Sequence, residues 1–438
     1  MLVFEILLAI IILCIIIYLL FLKNVKYFVL YFFDIITIIT IILSSIYLES
    51  GKFVLELGTN TYSNGSGFSQ MFYILLFCLV FSFGLKISLM KKEQNSEFGN
   101  NSLISLINTY IIKIIPFFAI ISLVYLYVDL YLSGIPLFNN TIPGRMSYFS
   151  NVSILPYTST IYSLNVYYFP LIFGFEYSDA APLKKKKILI YLIFSIIYLL
   201  LINFKVSGPM DVVKSFLAPI LVNYVINKKI NINIFKFFKT FIVIVSIVFA
   251  FVFFNYSHNY SGQNIMQKII DRSFGMTSHL HWATISHLEK TSNINYLENI
   301  GNEISGVKEG ASVYDPKYGV SKLMVNLADK NISYGYLANN TRMGSTFITV
   351  SLFNCGYILT IFIVIAFAFV YAFLIKSLFL SIVSNNILKS LLLYKLTIFY
   401  RVFIFNSGSL IDFFNYKNLI VILLILAVNI ISKIKRKE

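Results

Sequence analysis

The chain has 438 residues, 58% of them hydrophobic and only 12% charged, with a formal net charge of +16. A soluble domain carries about 25% charged residues, so this composition, with a mean hydropathy of +0.80, excludes a soluble globular class. The positive excess is mostly lysine at the ends of apolar runs, which is the pattern of membrane anchoring and argues against nucleic acid as a partner.

Apolar runs long enough to cross a bilayer, about 20 residues each, occupy 3–22, 27–48, 71–90, 107–132, 157–177, 188–204, 213–227, 238–255, 346–374, 390–406 and 417–432. The expected fold class is therefore an all-α polytopic integral membrane protein with about eleven transmembrane helices. The run at 213–227 is short, and 374–390 has room for a broken or interfacial helix. The first run lacks a preceding basic region, carries Glu5 and shows no small-residue cleavage site, so it reads as a retained membrane helix.

Lysine clusters fall on alternate connections. They are Lys23 with Lys26, Lys91 with Lys92, Lys184 to Lys187, Lys228 to Lys239, Lys376 with Lys389, and the tail from Lys433 to Lys437. Cationic loops stay cytoplasmic, so this parity puts the N-terminus outside and the C-terminus inside. It divides the chain into a bundle at 1–255, about eight spans with an outer loop at 133–156, a large extracytoplasmic loop domain at 256–345, and C-terminal helices with a basic cytoplasmic tail at 346–438. In the loop domain, Ile265, Ile269, Ile270 and Phe274 have helical spacing. The stretch Gly306 to Gly310 and the pair Asp315-Pro316 read as turns. No internal repeat of the kind found in many transporters is visible.

Arginine is scarce: Arg145, Arg272, Arg342, Arg401 and Arg436 are the full set. By the lysine parity all but Arg436 fall on or near the outer face, where they contribute nothing to orientation. A planar, permanently charged fork there suits phosphate or pyrophosphate. Arg145 sits in SGIPLFNNTIPGRMSYFSNVSILP, bracketed by glycine and proline, with anchoring to lipid headgroups as its plainer use. Arg342 sits in NNTRMGSTF just before a membrane run, where Thr341 or Ser345 is placed to cap the helix and Gly344 would let a phosphate approach the backbone. Arg401 lies about two turns inside a span, at a cost of roughly 2.5–3.5 kcal/mol, so it calls for a partner such as Asp412 or Asp34. Arg272 either joins the same outer surface or pairs with Asp271.

His258, His279, His281 and His287 all lie in the loop domain. The spacing of His279 and His281 puts them on opposite sides of a helix, so no metal site is expected, and the three cysteines Cys14, Cys78 and Cys355 indicate neither zinc nor a disulfide framework. As a general base for a sugar hydroxyl, His281 is the marginal choice because Trp282 beside it is placed to stack on a sugar ring. Asp315 is the carboxylate alternative, and Tyr314, Tyr318, Tyr334 and Tyr336 are candidates to line a glycan path or to form an interfacial belt. There is no Asp-x-Asp motif, phosphate-cradling glycine loop or nucleophile elbow, so nucleotide-driven chemistry is disfavoured and no cofactor is expected.

With SGIPLF...GRMSYF in one outer loop and YGYLANNTRMGSTF...FNCGYI before a later span, the chain resembles the Wzy-type O-antigen and capsule repeat-unit polymerases. The resemblance is architectural, covers most of the chain and rests on short motifs. Arg342-Met343-Gly344 is similar to a feature of that family's large outer loops, and Arg145 matches the arginine after its Gly-Ile-Pro loop. The long-spaced second arginine of some members is missing here. The likeness implies a GT-C-like membrane glycosyltransferase without metal, in the bacterial cytoplasmic membrane and acting on its outer face. It implies transfer of the growing chain from undecaprenyl diphosphate onto a new lipid-linked repeat unit. Lipid-linked glycans, membrane lipids and a chain-length regulator are the partners it suggests. A ligase using the same carrier, and a flippase of lipid-linked oligosaccharide, are the competing classes.

Overall fold

In a computed structural model, the structure describes residues 2–22, 25–51, 65–87, 102–138, 148–203, 264–271, 278–291 and 294–434, with a few isolated positions between 222 and 253. The helices in chain order are α1 (Leu2–Ile17), α2 (Val25–Glu49), α3 (Ser66–Lys86), α4 (Ser102–Ser133), α5 (Thr158–Ser163), α6 (Phe169–Asp179) and α7 (Pro182–Asn203). They continue with α8 (Ile265–Ile270), α9 (His279–Lys290), α10 (Tyr296–Glu309), α11 (Gly319–Leu327), α12 (Lys330–Ala338), α13 (Phe347–Val383), α14 (Ile387–Val402), α15 (Leu410–Phe413) and α16 (Tyr416–Ile434). No strand occurs among the described residues, and the protein is an all-α membrane protein.

Four helical stretches among the described residues are long and apolar enough to cross a membrane: Leu30–Glu49, Ser66–Lys86, Leu106–Ser133 and Phe347–Val383. Two shorter apolar helices, Ile6–Leu20 and Tyr416–Ile431, accompany them. This is fewer than the eleven spans expected, for identifiable reasons. The run at 157–177 is split into α5, a π-turn at Leu164–Tyr168 and α6. The lysine quartet occupies the first turns of α7, which shortens its apolar part. The run at 390–406 leaves the α-helix after Val402 for a π-turn at Phe403–Ser407. The runs at 213–227 and 238–255 lie almost wholly outside the described residues. Within 374–390, where a broken helix had room, α13 runs to Val383 and α14 begins at Ile387.

The chain forms two compact units, one comprising 1–96, 267–378 and 392–427, the other 97–266, 379–391 and 428–438. In the second unit Asp129, fully buried on α4, gathers the Tyr148 hydroxyl at 2.6 Å, Ser153 at 3.1 Å and the Leu155 N–H at 3.0 Å. A buried carboxylate that accepts this many bonds is a structural tie for the chain following α4.

In the first unit the polar segment between α8 and α13 shares one core with the first turns of α13. Leu280, Val320, Leu323, Met324, Leu337, Met343, Val350 and Phe353 pack together. Each such side chain contributes roughly 1.5–3 kcal/mol when fully removed from water. The helices here are capped by their own sequence. Asn295 Oδ1 accepts the Glu298 N–H at 3.2 Å as the N-cap, and its Nδ2 donates to the Glu298 carboxylate at 3.1 Å. Gly310, with φ 62°, ends α10. Gly306, expected in a turn, is inside α10. A Cβ there would lie 2.8 Å from the Tyr318 ring and 2.9 Å from Ile411 Cδ1, so its lack of a side chain serves close packing.

Candidate functional site

The 341–346 stretch brings Arg342 to the start of α13. Met343 anchors it in the core with 1% exposure, and the Met343 N–H reaches Met324 Sδ at 3.3 Å. Thr341 closes the end of α12 instead of capping α13, its hydroxyl donating to the Tyr336 carbonyl at 2.8 Å. The cap is one residue past Ser345: Thr346 Oγ1 accepts the Thr349 N–H at 3.4 Å. Beside it the Ser345 N–H meets the Asn406 carbonyl at 3.4 Å. Gly408, at φ +69°, passes so close that a Cβ would sit 2.6 Å from Phe347 Cα. Only glycine fits both that conformation and that gap.

This packing delivers Asp412 on α15 to Arg342. The guanidinium donates from Nη1 to Asp412 Oδ2 at 2.9 Å and from Nη2 to Oδ1 at 3.0 Å, a bidentate pair. Nη1 also reaches the Val313 carbonyl at 3.4 Å, and the Tyr314 ring lies 5.6 Å from the guanidinium carbon. The side chains are 17% and 11% exposed, so the pair is neither buried nor fully solvated. One edge of the fork is taken by a carboxylate, and any phosphate must displace Asp412 or use the remaining N–H groups. Gly344 is half-buried two residues along, between Met343 and Ser345.

Arg401 takes the other aspartate. Its Nε pairs with Asp34 Oδ1, its Nη2 reaches Asp34 Oδ2 at 3.2 Å, and the Tyr371 hydroxyl also donates to Asp34. A kink in α2 at Tyr31 (φ −120°, ψ 19°) accompanies a second contact, from Arg401 Nη2 to the Leu30 carbonyl at 3.1 Å. Asp34 is 2% exposed, so its charge is held inside the fold by the ion pair with Arg401.

Arg145 and Arg272 lie outside the described residues, as does His258. Asp271, the partner considered for Arg272, accepts from Gln267 at 2.8 Å and from the Tyr47 hydroxyl. His279 and His281 are buried on α9, and Trp282 is 1% exposed, which removes its ring from contact with a sugar. Burial pushes the imidazole of His279 down to about 4 and that of His281 down to about 3. His281 Nδ1 lies 3.3 Å from Thr349 Oγ1. His287 is also lowered by burial and stacks on Phe353 at 5.4 Å. Asp315 shapes the turn before α11, accepting the Lys317 N–H at 2.9 Å. Tyr318 is bound to Glu309 at 3.1 Å and Tyr336 packs on the core, while Tyr334 is exposed. Among the described residues no group of three or more His, Cys, Asp or Glu side chains is arranged to hold a metal ion.

Sequence reasoning missed Glu303. It is 3% exposed on α10, and one oxygen accepts the Gly319 N–H at 2.6 Å. Burial raises its carboxyl above the ordinary range. Asp412 adds to the rise, while the Gly319 N–H, Lys322 and Asn354 oppose it. Lys322, half-buried and lowered by burial, donates to Asn299 at 2.9 Å. Glu303, Lys322, Asp412 and Arg342 therefore belong to one cluster of opposing charges. An acidic residue on a largely solvated helix carries no local signal of this, because its burial depends on α11, α13 and α15.

Residues 314–422 match a family of unknown function (DUF6418). The matched segment contains Lys322, Arg342, Arg401 and Asp412 and leaves out Glu303 and Asp34. No curated protein and no solved structure matches the chain.

Proposed function

We propose that the protein is a membrane glycosyltransferase that polymerises undecaprenyl-diphosphate-linked repeat units into O-antigen or capsular polysaccharide on the outer face of the bacterial cytoplasmic membrane. The observation that carries this reading is the Arg342–Asp412 pair at the start of α13, a guanidinium fork at the end of a membrane helix with a competing carboxylate already seated. A lipid diphosphate leaves with negative charge, and a preorganised cation is most effective where that charge develops. In this mechanism the diphosphate replaces Asp412 on the fork and Gly344 allows it to approach the backbone, with Arg145 and Arg272 proposed as further diphosphate-binding cations. An N-terminus outside and a C-terminus inside remain part of the proposal.

The test is reconstitution with lipid-linked repeat units as the only substrate. The wild type yields a ladder that survives chelation of divalent cations. Arg342→Ala and Arg145→Ala abolish it without loss of membrane insertion, and lysine at either position rescues poorly because the fork is lost. A normal ladder from both alanine variants refutes the diphosphate grip, and dependence on a second kind of acceptor turns the reading to a ligase. The Arg401–Asp34–Tyr371 cluster favours one further reading, a flippase, because intramembrane charges mark many transport paths. Passage of a labelled lipid-linked unit across the bilayer without elongation would establish that alternative.

A further inference from the structure

Glu303 has two oxygens in different situations. Oε1 is fixed by the Gly319 N–H at 2.6 Å. Oε2 is buried with no hydrogen-bond partner among the described residues, and so is Asn354 Oδ1, on a residue that is 4% exposed. Asn354 lies beside the carboxylate, and Lys322 acts on it from α11. A buried acceptor without a donor is costly, by roughly 1–3 kcal/mol in general, and such atoms in native structures need a reason. A hydroxyl group, of water or of a sugar, is able to supply that donor.

We propose that Glu303 takes the proton from the acceptor hydroxyl, a role that rests on the glycosyl transfer proposed above. The acceptor O–H bond breaks and its proton passes to Glu303 Oε2. The freed oxygen bonds to the donor's anomeric carbon. The bond from that carbon to the diphosphate breaks, and the electron pair leaves with the diphosphate at Arg342. The charge arrangement supports this division of labour, since Asp412 interacts with both Arg342 and Glu303. When diphosphate displaces Asp412 from the fork, the negative charge near Glu303 is rearranged in the same event. The charged and titratable groups around Glu303 are Lys322 from α11, Cys355 from α13 and Asp412 from α15, with Tyr318 in the adjoining turn. Glu298 on its own helix acts through Lys322.

The discriminating substitution is Glu303→Gln, whose amide oxygen still accepts the Gly319 N–H but cannot take a proton. The expected result is at least a 100-fold fall in elongation rate, the range for loss of a general base, with KM for the lipid-linked donor unchanged. The wild type loses activity as pH falls through the Glu303 carboxyl, at a pH above the ordinary carboxylate value. Glu303→Asp keeps that acid limb at reduced rate, and Lys322→Met moves it to higher pH by removing the opposing cation. Wild-type rate in Glu303→Gln, with Arg342→Ala inactive, overturns the base and leaves the transfer reading intact. No elongation by the wild type overturns both. If Glu303→Gln does not fold, the acid limb decides: a limb left unmoved by Lys322→Met refutes the proposal.

Discussion

The Arg342–Asp412 pair makes a quantitative prediction that separates a surface ornament from a structural tie. Exposed ion pairs are worth about 0.2–1 kcal/mol, whereas breaking a buried one by removing a partner costs about 3–5 kcal/mol. With 17% and 11% exposure and two bonds at 2.9 and 3.0 Å, this pair lies between those limits. Charge-assisted bonds of this kind contribute about 1.5–3 kcal/mol, so a coupling energy of about 2 kcal/mol is expected. The assay is a double-mutant cycle, Arg342→Ala and Asp412→Ala alone and together, read by denaturant unfolding of the purified protein. A coupling within about 0.5 kcal/mol of zero would refute the argument, since that is the noise of independent sites. The same pair carries a second consequence of opposite sign. Asp412→Asn weakens the fold yet releases the fork, so inorganic pyrophosphate should bind more tightly than to the wild type. Weaker pyrophosphate binding in that variant would show that the carboxylate is not a competitor for the fork.

Two further predictions concern stability. Arg401→Met or Asp34→Asn alone should cost about 3–5 kcal/mol by stranding a buried charge or its orphaned fork, while Asp34→Leu with Arg401→Met should recover most of it; single variants of wild-type stability would contradict the closed ion pair. Acidification should destabilise the segment around α9, because His279 and His281 titrate near 4 and 3 when folded but near 6.5 when unfolded. Their stabilising effect is complete above about pH 6.5 and is lost as pH falls toward those folded values, at up to about 1.4 kcal/mol per pH unit for each residue. Unfolding midpoints at pH 7 and pH 5 measure this, and His281→Gln should reduce the slope; an unchanged slope would mean that the imidazole is not held neutral by burial.

Some features were legible before any tertiary contact was known. The membrane class and the helical content follow from apolar runs, and a cap such as Asn295 or a helix-ending glycine such as Gly310 is local chemistry. The demand of Arg401 for a carboxylate was also legible, with Asp412 and Asp34 left as the two choices. Several details were not. The interruptions after Val402 and around Leu164–Tyr168 lie within runs that look uniformly apolar. His281 and Trp282 look like surface chemistry in sequence but sit in the part of α9, 279–286, that is buried on all sides.

Hydropathy, caps and turn residues depend on neighbours a few positions away, so the chain alone established an all-α protein built to enter a membrane. Which aspartate meets which arginine depends on segments 70 and 367 residues apart. The burial of Glu303 likewise depends on a contact 16 residues along the chain and on helices further still. Those approaches were decided by the packing of α10, α11, α13 and α15, where glycines at 306, 319 and 408 admit neighbours that any side chain would hold off.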